Sequence, residues 1–204
     1  MDDTRVRPVD DFRPRMPRVV AFIVVGAIAA ASLVALLFPS LPIANLFNGP
    51  TQVNVIRRIV PDPDQHAGIG GKAPNFEWNA PDGTTKTLAD LHGKVVVVTF
   101  WATWCEPCRR EMPAMQRVAA STDAVFLAVD LMEDGARVRS FMDSLAVDRL
   151  APLLDTDGAV TRAYSAIELP ETFFIDGTGV IKHIERGELD ESGVRNGIAK
   201  ARQG

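Results

Sequence analysis

The segment Trp101-Ala102-Thr103-Trp104-Cys105-Glu106-Pro107-Cys108 holds the only two cysteines of the 204-residue chain. They stand three positions apart, after the valine run Val95 to Val98 and at the start of a stretch with helical spacing. A thiol at a helix N-terminus faces unpaired N–H groups and the positive end of the helix dipole, so its thiolate is favoured. A second thiol one turn on lies on the same face and can attack the first, closing or opening a disulfide by exchange. The pattern is that of a working dithiol.

Three tamer uses of the pair fit less well. A structural zinc site needs four ligands, and His66, His92 and His183 show no ligand spacing around the single pair, so no metal is expected. A stabilising cross-link would close too short a loop to restrain the unfolded chain much. Two inert core cysteines would not be separated by Glu106-Pro107, an insert suited to a helix start. No cofactor-binding motif is present either.

Charged residues make up 24% of the chain and the formal net charge is -4, which argues against a nucleic-acid surface. Residues 19–38 read VVAFIVVGAIAAASLVALLF, 20 positions without a charge. At about 1.5 Å per residue, a helix of this length crosses a hydrocarbon core of about 30 Å. A cleaved signal peptide would have a shorter apolar run, with its small-residue site after the run rather than inside it. Arg5, Arg7, Arg13, Arg15 and Arg18 precede the span, and no Lys or Arg follows until Arg57. The positive-inside rule then places residues 1–18 in the cytoplasm as a tail and the cysteines on the far side of the inner membrane, in the periplasm or outside. Prolines and the Gly68 to Gly71 stretch mark 39–72 as a linker, leaving 73–204 as the folded domain.

Within that domain, Asn75 to Trp78 reads as a short strand and Pro81-Asp82-Gly83 as a turn. Thr87 to Leu91 is a short helix stopped by Gly93. Lys94 to Phe100 is a β-branched run of the kind buried on both faces of a sheet. The cysteine helix follows to about Ala120, with Met112, Met115, Val118 and Ala119 as its apolar stripe and Pro113 expected to kink it. Then come a strand from Ala124 to Val129, a helix from Gly135 to Leu145, a short strand at Leu153-Leu154 and a short helix from Ala159 to Ser165. Strands at Thr172 to Ile175 and Val180 to Ile184 are joined by the hairpin Asp176-Gly177-Thr178-Gly179. Asp190 caps a last helix reaching Ala201. The expected class is α/β, a mixed sheet flanked by helices, with one N-terminal transmembrane helix.

From Gly71 onward, and in its anchor, the chain resembles the membrane-anchored TlpA/ResA/CcmG group of thioredoxin-like thiol–disulfide oxidoreductases. The residues that carry the resemblance are Ala73-Pro74-Asn75-Phe76, Leu91-His92-Gly93-Lys94, Thr99 to Cys108, Glu111-Met112-Pro113 and Leu169 to Asp176. The N-terminal thiol, Cys105, is expected to attack, and Cys108 to resolve. The resemblance implies that Pro170 is a cis-proline facing the dithiol, offering the backbone of Leu169 to a bound peptide. Glu111 shares a helix face with both cysteines. It is either a proton carrier that raises the thiol pKa values or a solvated first-turn acid stabilised by the helix dipole. Thr99 stands where cytosolic thioredoxins have a buried Asp, which makes Glu111 the substitute. Trp104 is expected to flank the site, Arg109 and Arg110 to be solvated, and His183 to lie on the surface.

The resemblance also implies protein thiols and disulfides as partners, a membrane electron donor of the thiol-transfer type, and a mainly reductive role. Its targets would be haem-attachment cysteines of apocytochrome c, with copper-site assembly of an oxidase as the alternative. A thiol peroxidase would need a peroxidatic cysteine in its own context. A copper-delivery module would add a distant His to the pair.

Overall fold

The structure, a computed structural model, describes residues 53–80 and 82–203. The expected anchor, the cytoplasmic tail and Pro81 lie outside the described residues. Among those described, no helix is long and apolar enough to cross a membrane.

The frame is an eight-stranded mixed sheet built from β1 (Asn54–Val60), β2 (Asn75–Asn79), β3 (Thr85–Thr87), β4 (Val96–Trp101), β5 (Val125–Leu131), β6 (Ala151–Asp155), β7 (Glu171–Ile175) and β8 (Ile181–Arg186). Its order is β3-β2-β1-β6-β5-β4-β7-β8. β4 runs parallel to β5 and antiparallel to β7. All six residues of β4 are buried, as expected of a strand covered on both faces. Its alternation sorts them: Val97 and Trp101 pack beneath the helices α1 (Glu106–Ala119), α2 (Gly135–Ser144) and α4 (Glu191–Arg202). Val96, Val98 and Phe100 join Phe76, Trp78, Tyr164 and Phe173 on the other side, around the short helix α3 (Ala159–Ala163). There Phe173 meets Phe100 and Tyr164 edge-on, with centroids 5.6 Å and 5.0 Å apart.

Capping residues set the helix starts. Asp134 accepts the N–H groups of Ala136 and Arg137 to begin α2, and Asp190 accepts that of Gly193 at 2.8 Å to begin α4. The β7–β8 hairpin closes on Asp176, whose Oδ1 accepts the N–H groups of Thr178 and Val180. Gly179 there takes φ 87°, a left-handed conformation that glycine adopts without steric cost.

Three expectations need correction. The linker does not extend to Lys72. Residues 54–60 form β1, a full member of the sheet between β2 and β6, and Gly70 and Gly71 exchange backbone hydrogen bonds with Ile181. Pro61 and Pro63 sit just past the end of β1, where a missing N–H costs nothing. The turn composition around Asn54–Val60 therefore masked a short strand. β3 was not expected either, being only three residues long with none buried. Thr87 to Leu91 is a capping-box 3-10 turn (Leu88–Leu91) rather than an α-helix. His183 is half-buried rather than at the surface, stacked on Phe174 at 5.6 Å.

Candidate active site

Cys105 is the N-cap of α1, in extended conformation (φ -83°, ψ 105°), and its sulfur accepts the N–H of Cys108 at 3.2 Å. Pro107 lies in the first turn, where an absent N–H loses no helical bond. The Cys105 sulfur is therefore held at the positive end of the helix. The two cysteines form a disulfide with S–S 2.04 Å, and they are 5% and 1% exposed. Trp104, 65% exposed, flanks the pair, whereas Trp101 is fully buried against Phe141. α1 continues through Pro113 to Ala119.

The Leu169–Pro170 bond is cis and sits immediately before β7, as the resemblance implied. An open groove runs between Trp104, Cys105 and Pro107 on one side and Ile167 and Leu169 on the other. Ile167 is 87% exposed. A polypeptide laid along this groove would bring its own disulfide to Cys105.

Glu111 is not the solvated first-turn acid of the second reading. It is 2% exposed, on the buried face of α1 with Cys108 and Met112. Its Oε2 accepts the N–H of Leu189 at 2.8 Å, and its Oε1 lies 3.5 Å from the hydroxyl of Thr99. Thr99 in turn accepts the hydroxyl of Thr172 at 3.1 Å. Thr99 on β4 thus donates its hydroxyl toward the Glu111 carboxyl. Burial pushes Glu111 up to about 7, against the lowering effect of the Leu189 and Thr99 hydrogen bonds. A carboxyl poised near neutrality can carry a proton to and from a thiol. Arg110 is held rather than freely solvated: its Nε and Nη2 both reach Glu188, at 2.9 Å and 2.6 Å.

Three further acids, Asp130, Glu133 and Glu171, were given no role of their own in the sequence reading. Asp130, fully buried at the end of β5, is pushed up to about 8 by burial and then by the neighbouring Glu133. Glu133 accepts the backbone N–H and the hydroxyl of Thr103, two residues before Cys105, at 2.5 Å and 2.6 Å. Glu171 follows the cis-proline, is fully buried, and lies 3.1 Å from Arg186; its pKa is raised by burial. The available signal was a charged residue at the end of an apolar strand, as in Ala128-Val129-Asp130. Among the described residues no group of three or more His, Cys, Asp or Glu side chains is disposed to hold a metal.

A cysteine pair at a helix start, with Leu169 of the cis Leu169–Pro170 bond lining the same groove as Cys105 and a mixed sheet beneath, defines a thioredoxin-like dithiol–disulfide site. The chain belongs to the AhpC/TSA family, whose model matches residues 69–184. It is 38% identical over 126 residues to the thiol-disulfide oxidoreductase ResA of Bacillus subtilis, covering 60% of this chain and 70% of that protein. It is 31% identical over 133 residues to the thiol:disulfide interchange protein DsbE of Pseudomonas aeruginosa, covering 64% and 73%. Among solved structures, the exposed lipoprotein thioredoxin Etrx1 of Streptococcus pneumoniae matches with a TM-score of 0.55 at 27% identity, over 62% of this chain and 98% of that one. The protein is a thiol–disulfide oxidoreductase of the ResA/DsbE type with a thioredoxin-like fold.

Proposed function

We propose that the protein is a membrane-anchored, extracytoplasmic reductant of protein disulfides serving cytochrome c maturation. The observation that carries the direction of transfer is the buried Glu111 on the cysteine face of α1. A strong thiol oxidant owes its potential to a stabilised reduced form with a very acidic thiol. A carboxyl beside the pair opposes thiolate formation by like-charge repulsion, which leaves the dithiol the more reactive donor. The Cys105 thiolate attacks one sulfur of a target disulfide, releasing the other as a thiolate and forming a mixed disulfide. Cys108, giving up its proton to Glu111, attacks Cys105 and releases the target's second sulfur. Two electrons leave the protein, which then holds the Cys105–Cys108 disulfide until a membrane thiol donor reduces it. The open groove beside Cys105 suits an extended segment carrying two cysteines, the form that haem-attachment sites take in an apocytochrome.

Replacing Cys108 with alanine removes the resolving step. The variant is expected to accumulate a mixed disulfide with apocytochrome c in cells making c-type cytochromes, and Cys105→Ala to accumulate none. Capture through Cys108 in the Cys105→Ala protein instead would reverse the roles. Capture of a copper-binding oxidase subunit alone would move the protein to the other pathway. The anchor rests on residues 19–38 and the arginines before them. Protease added to intact spheroplasts is expected to remove the domain beyond Pro39, and protection of that domain would refute the topology.

A further inference from the structure

The connection from β8 to α4 is bonded, residue after residue, to different parts of the site. Arg186, the last residue of β8, lies 3.1 Å through Nε from Oε1 of Glu171, which follows the cis-proline. The Gly187 N–H donates to the carbonyl of Pro170 at 2.8 Å, in a turn where Gly187 takes φ 96°, the left-handed region open to glycine. Glu188 Oε2 accepts from Nε and Nη2 of Arg110, at 2.9 Å and 2.6 Å. The Leu189 N–H donates to Glu111 Oε2 at 2.8 Å, and the Leu189 side chain belongs to the buried cluster that holds both cysteines. Two adjacent residues of α1, Arg110 and Glu111, thus meet two adjacent residues of the connection, Glu188 and Leu189.

At Glu111 the Leu189 bond is the short one, since the Thr99 hydroxyl stands at 3.5 Å. A buried carboxylate depends on such a donor, because the bond favours the charged form that burial disfavours. It is the charged form that can take a proton from Cys108. We propose that Arg110 and Glu188 are a positioning pair for the resolving step: they clamp the β8–α4 connection onto α1, so that the Leu189 N–H holds the Glu111 carboxylate ready for the Cys108 proton. Their side chains are 53% and 36% exposed, and an exposed ion pair is ordinarily weak. Two N–H groups of one guanidinium on a single oxygen, however, fix a direction as well as a distance. Glu106, one turn back on α1, is the other acid beside Arg110, but its Oε1 lies 3.8 Å from Nη1, so Glu188 holds the guanidinium more closely.

The inference rests on Glu111 being the proton carrier and on Cys105 attacking first, and is independent of the protein that is reduced. Its test is the stopped-flow reaction of the reduced protein with the disulfide dithiobis(nitrobenzoate) at neutral pH. In the first phase the Cys105 thiolate attacks the probe, expels one thionitrobenzoate and forms a mixed disulfide, at a rate that rises with probe concentration. In the second phase Cys108 passes its proton to Glu111 and attacks Cys105. The internal disulfide forms and the second thionitrobenzoate leaves, at a rate independent of probe concentration. Arg110→Gln and Glu188→Gln are each expected to slow the second phase by about two- to fivefold, the range open to an exposed pair. The double variant should be no slower than either single one, and Arg110→Lys, which keeps a donor for Glu188, should retain most of the rate. Charges acting directly on the thiols would instead move the two variants in opposite directions, and that result would overturn the proposal. A second phase equal to wild type in both variants would overturn it as well. In a Glu111→Gln background both substitutions should lose their effect, and a slowing that persists there would refute the route through Glu111. A second phase unchanged in Glu111→Gln alone is a distinct failure: it would overturn the proton-carrier reading, and the purpose of the clamp with it.

Discussion

Replacing Cys105 with serine should reduce disulfide-reductase activity to the uncatalysed background while leaving the fold in place. The thiolate is the nucleophile of exchange, and a hydroxyl at the same position can neither attack a disulfide nor enter a mixed one. Serine is also a favoured N-cap, so its oxygen can accept the Cys108 N–H that the sulfur now accepts at 3.2 Å. α1 should therefore start at the same residue. Stability separates chemistry from packing here. The disulfide closes a loop with a sequence separation of 3, for which the chain-entropy model gives about 2 kcal/mol. Urea unfolding of Cys105→Ser should fall below oxidised wild type by about that amount and coincide with reduced wild type. Turnover surviving in Cys105→Ser would move the nucleophile elsewhere. A melt far below the reduced protein would make Cys105 a packing residue first.

The dithiol was legible because its signal is local. Helix start, cysteine spacing and the preceding β-branched strand lie within fourteen residues of one another, from Val95 to Cys108. β4, β5, α1 and α4 carry strong hydrophobic periods and appear within a residue or two of their expected ends. β1 was hidden because a seven-residue strand, four of whose residues are exposed or half-buried beyond the first three, has little contrast between its faces, and prolines follow it. The state of Glu111 was hidden for a different reason. Spacing gives the helix face, but what covers that face comes from Leu189 at a separation of 78 and from Thr99 at 12. The same holds for Asp130 and Glu133, whose meaning depends on a loop from another strand. Strand and helix patterns report burial along an element, whereas acid–base poise is set by contacts between elements.

Glu111 carries the second large expected effect, in stability as well as chemistry. Its carboxyl has an ordinary pKa of 4.5 when unfolded and about 7 when folded, chiefly through burial. Below 4.5 the group is protonated in both states and imposes no penalty. Between 4.5 and about 7 the unfolded chain has released its proton and the folded protein has not. The unfolded state then binds fewer protons, so stability falls as pH rises across that window and levels off above it. At about 1.4 kcal/mol per pKa unit, the loss across that window is about 3.5 kcal/mol. Glu111→Gln removes the titration and keeps the contacts, since its carbonyl can accept from Leu189 and its amide can donate to Thr99. In the disulfide form, where no thiol titrates, the variant should match wild type near pH ~4 and exceed it by up to about 3.5 kcal/mol near pH ~8. Urea midpoints across that range read this directly, and parallel curves for the two proteins would show that Glu111 is not buried as a neutral acid. In the reduced protein the same substitution should lower the thiol pKa values and make the pair more oxidising, because the like charge that opposed the thiolate is gone. A carboxyl that costs the folded protein stability at neutral pH sits one turn from Cys108, where it is placed to take the proton that Cys108 gives up in the proposed exchange.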